Sequence, residues 1–250
     1  MSTFSLDATG KVAPKTTIER HYYFHVGETK FGYCYLAKNG CTAFKNFITQ
    51  TSRVRHKVNF DGTPIEYMGR YHKLHTNEDI EACDSMILVL RDPYDRLISA
   101  YTNKFISRRG TDIFKNYEEV TNKNPDDLTF RSFIVDYCKD FETRDHHVVP
   151  QAHYILPIQY DKTFMLADIY SEMSKIIPPE IADKYFKQKS NKENYGLTVS
   201  AAIDQRSEDL YILQTTHNSA PKKENFYDAE LEEIVKIRYQ DDYALIDMLK

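Results

Sequence analysis

Tryptophan is missing from the 250 residues, and cysteine, glycine and proline are scarce at 4, 8 and 9. The four cysteines, Cys34, Cys41, Cys83 and Cys138, stand far apart and form no Cys-x-x-Cys pair. That argues against a disulfide scaffold and a structural zinc site, and for a reducing compartment. No apolar run approaches the roughly 20 residues that a membrane span needs. The longest is Met86-Ile87-Leu88-Val89-Leu90. Nor is positive charge in excess. Lys and Arg number 33 against 37 Asp and Glu, a net charge of −4, which disfavours a broad nucleic-acid surface. Internal repeats and low-complexity linkers are absent too.

What remains is an ordinary globular composition, 41% hydrophobic and 28% charged, long enough to bury a core without staples. At roughly 150 residues per domain the length fits one domain or two small ones. Residues 1–20 mix Ser, Thr, Asp, Lys and Pro around no apolar centre, so they read as a flexible leader rather than a signal peptide. A single domain over 21–250 is expected after it. The protein is expected to be soluble and cytoplasmic.

Two strand–turn–helix units stand out. Phe31–Ala37 is short, aromatic and apolar, a buried strand. The turn Lys38-Asn39-Gly40-Cys41 follows, and Thr42 is the expected helix cap, with Phe44, Phe47 and Ile48 on one apolar face. Ser85–Leu90 reads as a parallel strand covered on both faces. Asp92 then caps a helix with Pro93 at its first position. Tyr94, Leu97, Ile98, Tyr101 and Phe105 form its stripe. Between the units, Ile65–Tyr71 is expected as a strand and Thr76 as the cap of a short helix with Asp79 in the capping-box position. Later segments read as mainly helical: a stripe of Phe130, Phe133, Ile134, Tyr137 and Cys138, a strand over Lys162–Leu166, and one long closing helix over Tyr227–Leu249. Pro179–Ser219 has no clear pattern. The alternation predicts an α/β fold with a mostly parallel central sheet flanked by helices.

The first turn is placed as an anion site. The first amides of a helix lack internal partners and the helix dipole favours negative charge. Gly40 lets a ligand approach the backbone, and Lys38, Lys45 and the Thr42 hydroxyl surround it. The same residues also fit a plain capped turn with two surface lysines. The nucleotide-triphosphatase pattern G-x-x-x-x-G-K-[ST] is not met, so the usual Mg²⁺ ligand is missing. Arg91 ends the second strand, where open α/β sheets bind ligands, and Ser99 follows two helical turns later. An Arg and a hydroxyl make charge-assisted bonds to phosphate. Each residue alone is common on protein surfaces.

Together, Lys38-Asn39-Gly40-Cys41-Thr42-Ala43-Phe44-Lys45 and Arg91-Asp92-Pro93-Tyr94-Asp95-Arg96-Leu97-Ile98-Ser99-Ala100-Tyr101-Thr102-Asn103-Lys104-Phe105 resemble the two phosphate motifs of the 3′-phosphoadenosine-5′-phosphosulfate (PAPS) dependent sulfotransferases. The match is best to the carbohydrate branch of that family. Weaker similarity runs through His147-Val148-Val149-Pro150-Gln151, with Val148 where the family usually has an aromatic, and on to Tyr239-Gln240-Asp241-Asp242-Tyr243. The resemblance implies the sulfotransferase fold, with a P-loop-like sheet, and metal-free, in-line transfer of a sulfuryl group from PAPS to a saccharide hydroxyl. Lys38 would stabilise the leaving phosphate. Asn39, Gly40, Cys41, Thr42, Ala43 and Lys45 would hold the 5′-phosphosulfate, and Arg91 and Ser99 the 3′-phosphate. The base is expected between the motifs, at His72 first, because it directly follows the apolar segment Ile65–Tyr71, and then at His75, with His147, Glu66 or another carboxylate as alternatives. His147 is otherwise assigned to the acceptor site. Lys222 or Lys223 either reaches a phosphate from a lid or belongs to a solvated loop. Sulfation of a small alcohol, lipid or secondary metabolite stays open, as do a kinase-like nucleotide-binding protein and a non-catalytic glycan-binding relative.

Overall fold

The computed structural model describes residues 18–110, 112–187 and 202–249. Its elements run β1 (His21–Val26), β2 (Thr29–Cys34), α1 (Cys41–Thr51), α2 (Pro64–Tyr71), α3 (Asn77–Glu81), β3 (Ser85–Leu90), α4 (Pro93–Tyr101), α5 (Asp112–Thr121), α6 (Phe130–Ser132), β4 (Lys162–Met165), α7 (Ile169–Met173), α8 (Pro179–Tyr185), α9 (Ser207–His217), α10 (Ala229–Arg238) and α11 (Gln240–Asp247), with short helical turns between them. The chain divides into two compact units. Of the described residues, 18–91, 151–187 and 249 form the first, and 92–110, 112–150 and 202–248 the second.

The first unit is built on a four-stranded sheet in the order β1-β2-β3-β4. β1 pairs antiparallel with β2, whereas β2–β3 and β3–β4 are parallel. This is the expected mixed α/β sheet with helices on its faces. Alternation along the strands explains the covering. Tyr33, Ile87, Val89 and Phe164 face α1, α7 and α8 through Phe44, Phe47, Ile48, Ile169, Met173 and Phe186. Met86 faces the other way, onto Leu74, Ile80 and Leu156. With both faces buried, every position from Met86 to Leu90 must be apolar.

β1 is not apparent from the apolar pattern alone. His21-Tyr22-Tyr23-Phe24-His25-Val26 carries two histidines, and its signal is the two-residue turn between Val26 and Thr29, where Gly27 has φ +56°. The expected strand over Ile65–Tyr71 is instead helix α2. Thr63 and Glu66 form a capping box with Pro64 at the first position, a helix start signal that outweighs the short aromatic run. Glu66 therefore accepts from the Thr63 amide and hydroxyl. The α3 capping box of Thr76 and Asp79 is present as expected.

In the second unit, Asp92 accepts from the Asp95 amide and opens α4. Tyr94, Leu97, Ile98, Tyr101 and Phe105 are all buried against Phe130, Phe133, Ile134 and Tyr137. The single closing helix breaks into α10 and α11. Tyr239 leaves helical geometry at φ −112°, ψ 26°, and its buried hydroxyl donates to the Val148 carbonyl. That bond fixes a bend which periodicity alone does not signal. Arg96, fully buried, donates to the carbonyls of Val149 and His146. The segment around Val148 is thus held by side chains that donate to its carbonyls, and Val148 itself is buried. Residues 1–17 of the expected leader lie outside the described residues, and Ile18–Arg20 form one helical turn. Of the stretch Pro179–Ser219, α8 and α9 are described and 188–201 are not.

His21 sets a pH dependence. It is fully buried beside the Tyr160 hydroxyl, at 2.8 Å, and burial pushes its pKa from 6.5 down to about 4. The unfolded chain therefore binds a proton at higher pH than the fold does. Stability is full above about pH 6.5 and declines by about 3 kcal/mol as pH falls towards 4. Urea titrations at stepped pH should record this decline. His21→Gln should flatten the slope without removing it, because burial also lowers the pKa of His72. A variant slope equal to that of the parent rules His21 out as the source.

Candidate active site

β2 and β3 lie side by side and parallel, so their C-terminal ends open on the same sheet edge. Beyond β2 the chain turns through Lys38 and Gly40, both left-handed at φ 71° and 77°. A left-handed Lys costs of order 1 kcal/mol or more, and such strain gathers at functional sites. Gly40, not the expected Thr42, is the cap residue of α1, and no side chain caps the helix. Thr42 is exposed in the first turn. The first-turn amides of α1 thus have no side-chain acceptor, which keeps the position suited to an anion. Cys41, Ala43 and Lys45 are half-buried around it. Gly40 is doubly required, since a Cβ there would meet Ile169 Cδ1 at 2.8 Å and Leu166 Cδ1 at 3.0 Å.

Asn39 is fully buried under this turn. Its Nδ2 donates to the Val89 carbonyl and to Gln151 Oε1. Gln151, also fully buried, accepts from the Arg91 amide at 3.1 Å and donates through Nε2 to the Arg91 carbonyl at 2.9 Å. Arg91 Nη1 in turn donates to the Lys38 carbonyl at 2.9 Å. Lys38, Asn39 and Arg91 are therefore joined in one network. Gln151 is a member that motif reading missed. Its signal in the sequence is the Pro150-Gln151 end of the weaker similarity around His147.

The two candidate bases part company. His72 is buried and both ring nitrogens are engaged. Nδ1 donates to the Tyr23 carbonyl at 2.8 Å, so Nε2 accepts from the Ser52 hydroxyl at 2.8 Å, while Tyr67 donates to the same oxygen. Ser52 is the C-cap of α1, at the other end of 11 residues from Gly40, a rise of about 16 Å. His75 is exposed. The segment His72–Leu74 runs antiparallel to β1, from Tyr23 towards His21. His21 pairs with Cys34, the last residue of β2, so the segment heads to the edge that carries Lys38.

Ser99 and His147 belong to the second unit. Ser99 is half-buried on α4. His147 Nδ1 lies 2.6 Å from Asp145 Oδ1. Burial pushes the Asp145 carboxyl up, but the His147 hydrogen bond and the charges of His146 and His147 outweigh it and hold its pKa at about 2. Asp145, His146 and His147 bring one ligand atom each within 4.8 Å of one another. Lys223 pairs with Asp95 at 2.5 Å, beside the Tyr227 hydroxyl.

The model of the sulfotransferase family matches residues 21–246. The chain belongs to that family. It is 28% identical over 177 residues to carbohydrate sulfotransferase 14 of mouse, and to the same extent to the human protein. Each match covers 60% of this chain and 44% of the relative. The aligned part is thus less than half the length of those curated relatives. No solved structure matches significantly.

For this family member the turn itself gives the first test. Gly40→Ala meets both a left-handed φ and the two side-chain contacts, a cost of about 1–3 kcal/mol. The melting temperature should fall by several degrees in calorimetry. An unchanged midpoint means that the turn tolerates a Cβ.

Proposed function

We propose that the protein transfers a sulfuryl group from PAPS to a hydroxyl of a saccharide, in line and without a metal. One observation carries this reading. The cationic residue of the second motif, Arg91, donates to the backbone of the first, at Lys38. Two anion-seeking groups therefore stand at one sheet edge, as a donor with separate 5′ and 3′ phosphates requires. The uncapped start of α1 and the left-handed Gly40 fit a phosphate held by backbone amides. The names of the related carbohydrate sulfotransferases support a sugar acceptor.

PAPS, when bound, supplies the sulfuryl group and departs as adenosine 3′,5′-bisphosphate. In this proposal the amides of Gly40 to Thr42 hold the 5′-phosphate, and Lys38 neutralises the charge that grows on the oxygen leaving sulfur. Arg91 takes the 3′-phosphate through charge-assisted bonds. A base removes the proton of the attacking hydroxyl. His75 suits that role better than His72. It is exposed and its segment leads to the Lys38 edge, whereas both nitrogens of His72 are occupied at the far end of α1.

Arg91→Ala should weaken binding of adenosine 3′,5′-bisphosphate about 10- to 100-fold in calorimetry, the range for charged hydrogen bonds. Lys38→Ala should abolish turnover. Unchanged nucleotide affinity in the Arg91 variant sinks the reading. Preference for Mg²⁺-ATP over the bisphosphate would favour a kinase-like protein instead. His75→Ala should remove turnover while keeping bisphosphate affinity. Near-normal turnover in that variant excludes His75 as the base.

A further inference from the structure

We infer that Gln151, with Asn39, is a positioning pair that couples the two phosphate subsites, so that discrimination for the 3′-phosphate depends on a residue with no expected contact to the nucleotide. This inference rests on the sulfotransferase reading of the site. Gln151 lies far in sequence from both motifs yet meets both. Its Oε1 accepts from the Asn39 side chain and the Arg91 amide, and its Nε2 donates to the Arg91 carbonyl. A single amide group therefore fixes the Arg91 backbone from both sides. Asn39 passes that constraint to the other loop, since it is tied to β3 at the Val89 carbonyl and sits between the left-handed residues Lys38 and Gly40.

The chemistry requires amides at both positions. Asn39 Nδ2 serves two acceptors, Val89 O and Gln151 Oε1. Its own Oδ1 is buried with no hydrogen-bond partner among the described residues. Leaving a buried acceptor unmade is costly, and an unpaired buried group in a native fold calls for a reason. Placement of the two donations supplies one, because it sets how the turn stands against β3. A carboxylate at 39 cannot donate to either acceptor. A carboxylate at 151 opposes the Arg91 carbonyl with another acceptor.

The test uses the full chain and two ligands, adenosine 3′,5′-bisphosphate and adenosine 5′-phosphate, each measured by calorimetry. The parent should bind the bisphosphate more tightly, and the ratio of the two affinities reports the 3′-phosphate subsite. In Gln151→Glu and in the uncharged Gln151→Met, that ratio should shrink about tenfold, the scale of one to two lost hydrogen bonds. Affinity for the 5′-phosphate alone should change less. Asn39→Asp should shrink the ratio in the same direction. A merely structural role would lower the binding-competent fraction or both affinities together and leave the ratio unchanged, which overturns the inference. A change in Gln151→Glu but not in Gln151→Met also overturns it, because added charge then explains the effect. If the parent binds neither nucleotide, the sulfotransferase reading itself fails.

Discussion

Parallel pairing of β2 with β3 is the constraint on which the candidate site depends. Register Phe31↔Ser85 to Tyr33↔Ile87 sends both strands to the same edge, about 4.8 Å apart. Each then needs a connection that leaves the sheet at that edge, and each leaves through a cap at a helix start, Gly40 for α1 and Asp92 for α4. The two caps do different work. Asp92 satisfies its helix with its own carboxylate. Gly40 has no side chain to offer and leaves the amides of α1 uncapped. Only the second arrangement keeps a place for an external anion.

The site is also where the fold accepts local cost. Lys38 stands left-handed without being Gly, Asn39 keeps an unmade acceptor under the turn, and Gly40 is left-handed and crowded by the side-chain ends of Ile169 and Leu166. Two other helix starts of the first unit are capped by their own side chains. Thr63 and Glu66 satisfy the start of α2 reciprocally, and Thr76 and Asp79 do the same for α3. Unfavourable terms in three consecutive residues mark this turn as a candidate for function.

Much of this was legible in the sequence because the deciding interactions are local. Ser85–Leu90, the Asp92-Pro93 start and the stripes of α1 and α4 follow from periodicity and capping among near neighbours. The misses share a cause. The bend at Tyr239 depends on Val148, 91 residues away. The role of Gln151 depends on partners 60 and 112 residues away. α2 is a different case, since the Thr63, Pro64 and Glu66 signals that start it are local.

His72 shows how placement separates two histidines three residues apart. Adjacency to an apolar segment made it the attractive base, yet the same burial turns it into a structural group. Burial lowers its pKa, which keeps it neutral, and its neutral form is the one that both donates to Tyr23 and accepts from Ser52. Those bonds join β1 to the C-terminal end of α1, and Tyr67 adds α2 through the same Ser52 oxygen. Before it took a proton from a ligand, Nε2 would have to give up the bond it accepts from Ser52. His75 has left the packed segment and stands exposed beyond Leu74. The direction of the chain along β1, more than the identity of either residue, carries His75 away from the packing that holds His72.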